Sequence, residues 1–198
     1  MAECVYLGNT SARHLSNMKN SGYVQQGLRT WIEIDTRALK NNYNEFRRLI
    51  GHKRLLMAVV KSNAYGHGLI DFSRAAENLG VDWLGVDSIV EAESLRKAGL
   101  KKPTLVLGYT LENGIENAVK NNISLTIADF PSLKNIGALG KNNGKLKIHL
   151  KIDTGMHRQG FLVSEIPEVI KILKPGTLPV TLEGVYTHFS SAKNPAFP

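Results

Sequence analysis

Lys61 closes the apolar run Ala58-Val59-Val60 and is followed at once by Ser62-Asn63-Ala64-Tyr65-Gly66-His67-Gly68. A lysine at the mouth of a buried pocket loses hydration, which lowers the pKa of its amine and makes it nucleophilic. Such an amine can condense with an aldehyde cofactor. Taken alone, a lysine after an apolar triplet is a solvated strand end. The residues downstream shift that balance. Tyr65 brings a phenol, and Gly66 and Gly68 allow a close backbone approach to an anion or a positive φ. Two later stretches carry the remaining chemistry: Lys151-Ile152-Asp153-Thr154-Gly155-Met156-His157-Arg158 and Tyr186-Thr187-His188-Phe189. The histidines form no H-x-x-x-H pattern and Cys4 is the lone cysteine, so no metal site is expected.

These residues need elements to hold them. Strand-like runs occur at Leu55–Val60, Trp83–Asp87, Thr104–Leu107, Ser124–Ala128, Leu146–Ile152 and Val180–Thr187, after a short alternating strand at Trp31–Asp35. Helical spacing fills the gaps, beginning with Leu39, Tyr43, Phe46, Leu49 and Ile50 and ending with Ile166, Val169, Ile170 and Leu173. Gly80, Gly99 and Pro175-Gly176 fall where helices should stop. Strand–helix alternation at this spacing implies an α/β fold with a parallel sheet. No G-x-G-x-x-G follows a strand, and Phe161-Leu162 stands where a P-loop needs Lys and Ser/Thr. An incomplete (β/α)8 TIM barrel is therefore expected over residues 30–198. Within it Met57, Val59 and Lys61 share one face, as do Gly184, Tyr186 and His188. Lys147, His149, Lys151 and Asp153 alternate with Ile148, Leu150 and Ile152. Polar residues at the carboxyl ends of several strands are where such barrels place active sites. Residues 1–29, rich in Ser, Asn and Gly, are expected to be a flexible tail or linker, with Met18 an alternative start.

Composition narrows the classes. The 198 residues, 42% hydrophobic, suffice for one domain with a sizeable core. No run approaches the ~18 apolar residues of a membrane span. The N-terminus has no apolar signal region and the lone cysteine no disulfide partner, so a cytoplasmic protein is expected. The net charge of +8 is scattered in short groups such as Arg47-Arg48 and Lys101-Lys102, which gives no support to nucleic-acid binding.

The Lys61–Gly68 segment resembles the cofactor-lysine motif of the alanine racemases, and the two later stretches resemble that family's K-x-D-T-G-M-x-R and T-H-F patterns, in the family's order. The similarity runs from about Thr30 to the last residue. It implies pyridoxal 5'-phosphate (PLP) held by Lys61, which also acts as a base at Cα. It implies that Tyr65 contacts the cofactor phosphate, and that Arg158 contacts the phenolic oxygen and the substrate side. His188 would help to orient a catalytic tyrosine of a partner subunit. His157 stands where small residues are common in the family. Lys151 corresponds to a lysine that is carbamylated in many relatives; the alternative is an ammonium paired with Asp153 or solvent.

The same resemblance implies interconversion of L- and D-alanine for peptidoglycan, by a homodimer. Two barrel strands, a β-rich domain and the second base, a tyrosine, would lie beyond residue 198, so the chain is expected to be a fragment, inactive and poorly folded by itself. A racemase acting on serine, lysine or arginine is the nearest rival. A non-catalytic PLP-carrying barrel is another, although such proteins lack the Lys151–Arg158 pattern. A domain fused to a cell-wall ligase is a third, suggested by residues 1–29.

Overall fold

The computed structural model describes residues 4–7, 32–137, 145–194 and 196, which fall into two compact units. The first takes the described residues up to Gly85 together with Ser94–Lys102; the second takes Val86–Glu93 and the described residues from Pro103 onward.

In the first unit, β1 (Cys4–Leu7) runs antiparallel to β2 (Ile32–Asp35), with Cys4 opposite Asp35. The stretch expected to be a tail therefore holds a strand that partners β2; the rest of residues 1–29, and Trp31, lie outside the described residues. Asp35 then caps α1 (Thr36–Ile50), its carboxylate accepting the Arg37 and Ala38 N–H groups at 2.8 and 3.3 Å. Of the apolar stripe on α1, Leu39, Tyr43 and Ile50 are half-buried, whereas Phe46 and Leu49 are exposed. β3 (Met57–Val59) pairs in parallel with β4 (Trp83–Val86), Met57 beside Trp83 and Val59 beside Gly85.

Between these strands come α2 (Lys61–Tyr65) and α3 (Leu69–Leu79). Gly80 ends α3 at φ 98°, where the Tyr43 hydroxyl donates to its carbonyl at 3.1 Å. Glycine suits this position because a Cβ would need positive φ and would lie 3.1 Å from that hydroxyl. Glu77 on α3 accepts the Lys101 and Lys102 N–H groups, and Arg74 donates to the Ala98 carbonyl, so α3 is fastened to the chain after α4 (Ile89–Lys97).

The second unit repeats the βα pattern: β5 (Thr104–Val106), α5 (Glu112–Lys120), β6 (Ser124–Ile127), α6 (Phe130–Gly137), β7 (Leu146–Asp153), β8 (Phe161–Leu162), α7 (Ile166–Ile172) and β9 (Val180–Tyr186). β6 lies between β5 and β7, and β9 is on the other side of β7; every pairing is parallel, as is the short one of β8 with the end of β7. Short β-branched and leucine-rich strands fill the centre. Leu105, Val106, Ile123, Leu125, Leu146 and Ile148 are nearly or fully buried, each contributing about 1.5–3 kcal/mol. Phe130 meets Phe161 edge to face at 5.3 Å.

The expected strands are thus present with ends shifted by one or two residues. The structure adds β1 and β8, and makes the turn after Lys61 the short left-handed element α2. No helix among the described residues is long and apolar enough to cross a membrane.

Asp82 joins the start of β3 to α1. Its carboxylate accepts the Leu56 N–H at 2.7 Å and the Arg47 guanidinium at 2.6 Å, and these bonds, the Leu56 one foremost, hold its pKa below the ordinary value. A depressed carboxylate pKa stabilises the fold at pH values above the unfolded pKa, and that contribution fades as pH falls through the lower folded value. Asp82→Asn should therefore lower stability by about 1 kcal/mol near neutrality. The gap from wild type should close in strong acid; urea denaturation at both pH values checks this.

Candidate functional site

The chain leaves β3 through buried Val60 and turns into α2, where Ser62, Asn63, Ala64 and Tyr65 have φ of 54, 57, 52 and 53°. Four consecutive non-glycine residues in the left-handed region cost roughly 1–2 kcal/mol each. Local bonds hold them: Ala64 N–H donates to the Val60 carbonyl at 2.8 Å, and Gly66 and Gly68 N–H donate to the Asn63 carbonyl at 3.1 and 2.9 Å. The Asn63 side chain accepts the Leu69 N–H at 2.8 Å and starts α3. Ala64 is buried beneath the turn. Gly66 and Gly68 both have positive φ, as their types allow. Strain of this kind persists where the surroundings over-determine it, commonly at ligand sites. The turn sets Lys61 half-buried at its start and Tyr65 61% exposed at its end, so Tyr65 does not fill the core. His67 stacks on Phe72 at 5.6 Å.

The second unit gathers the other residues around the carboxyl end of β7. Lys151 is 5% exposed; its Nζ donates to Gln159 Oε1 at 3.2 Å and stands 5.9 Å from the Tyr186 ring centre. The Tyr186 hydroxyl shares a hydrogen bond of 2.9 Å with Thr126 Oγ1. Burial raises the Tyr186 pKa, against the opposing effects of that bond and of the Arg158 charge.

Beyond Lys151 the chain folds over Asp153, whose Oδ1 accepts the Gly155 and His157 N–H groups at 2.9 and 3.0 Å. Those two bonds lower the Asp153 pKa, and His157 Nδ1 lies 3.5 Å from Oδ2. His157 has φ 52°. Arg158 follows on this loop and is exposed, as is His188 just past β9. Thr187 ties the two strand ends, its hydroxyl donating to the Ile152 carbonyl at 2.8 Å and lying 2.7 Å from Thr154 Oγ1.

Strand parity grouped Lys151 with Lys147 and His149, and Tyr186 with Gly184; the register of β9 on β7 sets the two groups side by side. Parity did not foresee Gln159 as the lysine's neighbour, nor Thr126 as the tyrosine's. Further down the same surface, Glu183 meets Ser124, Lys147 and His149, another group missed in sequence; Gly184 inside a strand was the available signal. Burial pulls the His149 pKa down and Glu183 opposes it. Among the described residues no cluster of three His, Cys, Asp or Glu could hold a metal ion.

Comparison with known proteins identifies the family. The family described as "Alanine racemase, N-terminal domain" matches residues 34–198. The alanine racemase of Desulforamulus reducens is 41% identical over 165 residues, spanning 82% of this chain and 44% of its own. That of Methanococcus maripaludis is 44% identical over 167 residues, with 83% and 44% covered. Among solved structures, alanine racemase of Clostridium difficile 630 in complex with cycloserine superposes with a TM-score of 0.71 at 34% identity, covering 76% of this chain and 42% of that one. The Bacillus anthracis alanine racemase with bound L-Ala-P reaches 0.75 at 34% identity, covering 80% and 41%. The fold is thus the TIM-barrel-like N-terminal domain of these proteins, and the chain spans less than half the length of the relatives it matches.

Gly160 tests how tightly the Arg158 loop is held. It has φ 135°, and a Cβ there would lie 2.7 Å from Asp153 N and 2.9 Å from the Ile152 carbonyl carbon. Gly160→Ala in the intact protein should cost about 2–4 kcal/mol, because both the backbone angle and the contact are forbidden. An unchanged denaturation midpoint would contradict this close approach.

Proposed function

Because the chain belongs to the alanine racemase family, its residues 34–198 matching the N-terminal domain, we propose that the intact protein interconverts L- and D-alanine with PLP as cofactor. The observation that carries this reading is the joint presence, in one matched segment and in family order, of Lys61, Lys151–Arg158 and Tyr186–Phe189. The reading extends to a cytoplasmic homodimer that supplies D-alanine for peptidoglycan.

The groups presented by α2 suit such a cofactor. An amine that can bond a carbonyl carbon and a phenol open to solvent stand at the two ends of one rigid turn, with glycine backbone beside them. Bound PLP supplies an electron sink for the pair left on Cα when its proton is removed. Lys61 would hold the cofactor covalently and, once released, take or return the proton on one face of Cα. Tyr65 would direct its hydroxyl to the phosphate. Arg158, always charged, would sit against the phenolic oxygen and the substrate side, stabilising negative charge as it develops. His188 would orient the partner subunit's base.

Lys151 is proposed to be carbamylated. Buried to 5% exposure, its ammonium is costly to desolvate; the neutral amine can add dissolved CO2 and lose a proton to solvent, giving a carbamate of opposite charge at this position. Electron density continuing beyond Nζ in a crystal of the intact protein is expected, and density ending at Nζ at adequate resolution would sink the idea.

The activity itself is checked on the intact protein with added PLP by following the optical rotation of L- or D-alanine. Conversion in both directions is expected. Faster conversion of serine, lysine or arginine would point to a racemase of broader scope, and cofactor binding without conversion to a carrier. Lys61→Ala should abolish the absorbance that PLP acquires on bonding to lysine and cut turnover by at least about 10²-fold.

A further inference from the structure

β9 does not run in a single register along β7. Lys147 pairs with Thr181 and Ile148 with Leu182, but His149 pairs with Gly184, Leu150 with Val185 and Lys151 with Tyr186. Glu183 is the extra residue, forming a β-bulge in a parallel pair, where bulges are rare. Because side chains alternate with period two, this one insertion sets the facing of every later residue in the strand. Without it Val185 would stand beside Lys151, and Tyr186 would point to the opposite face of the sheet.

Specific groups seat the extra residue. Ser124 Oγ, on β6, donates to Glu183 Oε2 at 2.5 Å. Lys147 Nζ lies 3.3 Å from Oε1, and His149 Nε2 lies 3.8 Å from Oε2. The carboxylate thus spans β9, β7 and β6, and its side chain is 19% exposed, unlike a solvated rim charge. The next position accepts no side chain, since a Cβ on Gly184 would lie 2.7 Å from His149 Nδ1. Glu183 and Gly184 together fit the bulge to this surface. Three residues after Glu183, Tyr186 meets Thr126 and Lys151, and Thr187 closes on Ile152 and Thr154.

We propose that Glu183 is a positioning residue: seated against Ser124, Lys147 and His149, it sets the register that brings Tyr186 beside Lys151 and carries Thr187 and His188 to the end of β7. Its consequence for turnover rests on the proposed racemase activity; its consequence for register does not. Glu183 acts through β9.

The test uses the intact protein with Glu183→Ala, Glu183→Gln and Ser124→Ala. Glutamine keeps one acceptor oxygen for Lys147 and can donate from its NH2 to Ser124 Oγ, so Glu183→Gln should retain the Gly184–His149 pairing in a crystal structure and stay within about threefold of wild-type kcat. In Glu183→Ala the pairing should shift so that Val185 flanks Lys151, with kcat falling about 10²-fold and a smaller change in KM. Rescue by glutamine separates positioning from a general loss of stability. Retention of the wild-type pairing in Glu183→Ala, or an unchanged kcat, would overturn the proposal. Should Glu183→Ala not fold, Ser124→Ala decides: an intermediate kcat loss supports the proposal, and wild-type turnover refutes it. If the wild-type protein racemises nothing, the crystallographic pairing still decides the register claim.

Discussion

A strand shows only every second side chain to one side, and β7 gives one side to Leu146, Ile148 and Leu150 and the other to Lys147, His149, Lys151 and Asp153. The aliphatic set joins the buried core of the second unit. The charged set must then find partners, because desolvated charge without them is unstable. Much of the second unit can be understood as meeting that demand. Glu183 serves Lys147 and His149, Gln159 and the Tyr186 ring flank Lys151, and two backbone N–H groups satisfy Asp153. The β9 bulge, the Gly160 approach and the Asp153 loop are three answers to one constraint, the placing of polar groups on a strand hemmed in on both sides.

The first unit solves a different problem. Lys61 must leave the end of a parallel strand and be followed by a phenol that faces outward. A right-handed turn would direct these side chains otherwise, so the chain runs left-handed over four residues. Asn63 makes this tolerable by accepting with its carbonyl and its side chain together, while buried Ala64 pins the turn from beneath. Gly66 and Gly68 then continue the chain at positive φ, which their lack of a side chain allows.

Much of this was legible in the sequence. The order of the expected strands and helices, the strand ends to within a residue or two, and the placing of Gly80 and Gly99 at helix ends followed from hydrophobic period and local backbone preference. Lys61, Tyr65, Lys151, Arg158 and His188 were grouped through motif resemblance, and parity grouped Lys151 with its polar neighbours on β7 and Tyr186 with Gly184 on β9. The β1 strand was not legible, because four residues of mixed type carry little period. The left-handed turn escaped for another reason: of Ser, Asn, Ala and Tyr only Asn favours that conformation, and the flanking bonds select it for the other three.

The sequence by itself determined which residues alternate, where chain direction changes and which chemical groups accompany one another along the chain, because these are consequences of spacing and side-chain type. Tertiary structure alone decided which residue of one strand faces which residue of the next. Register depends on contacts across strands, and a single inserted residue, Glu183, exchanges the two faces of everything after it. The company that Lys151 keeps was settled there, by a carboxylate, a serine and a histidine drawn from three strands.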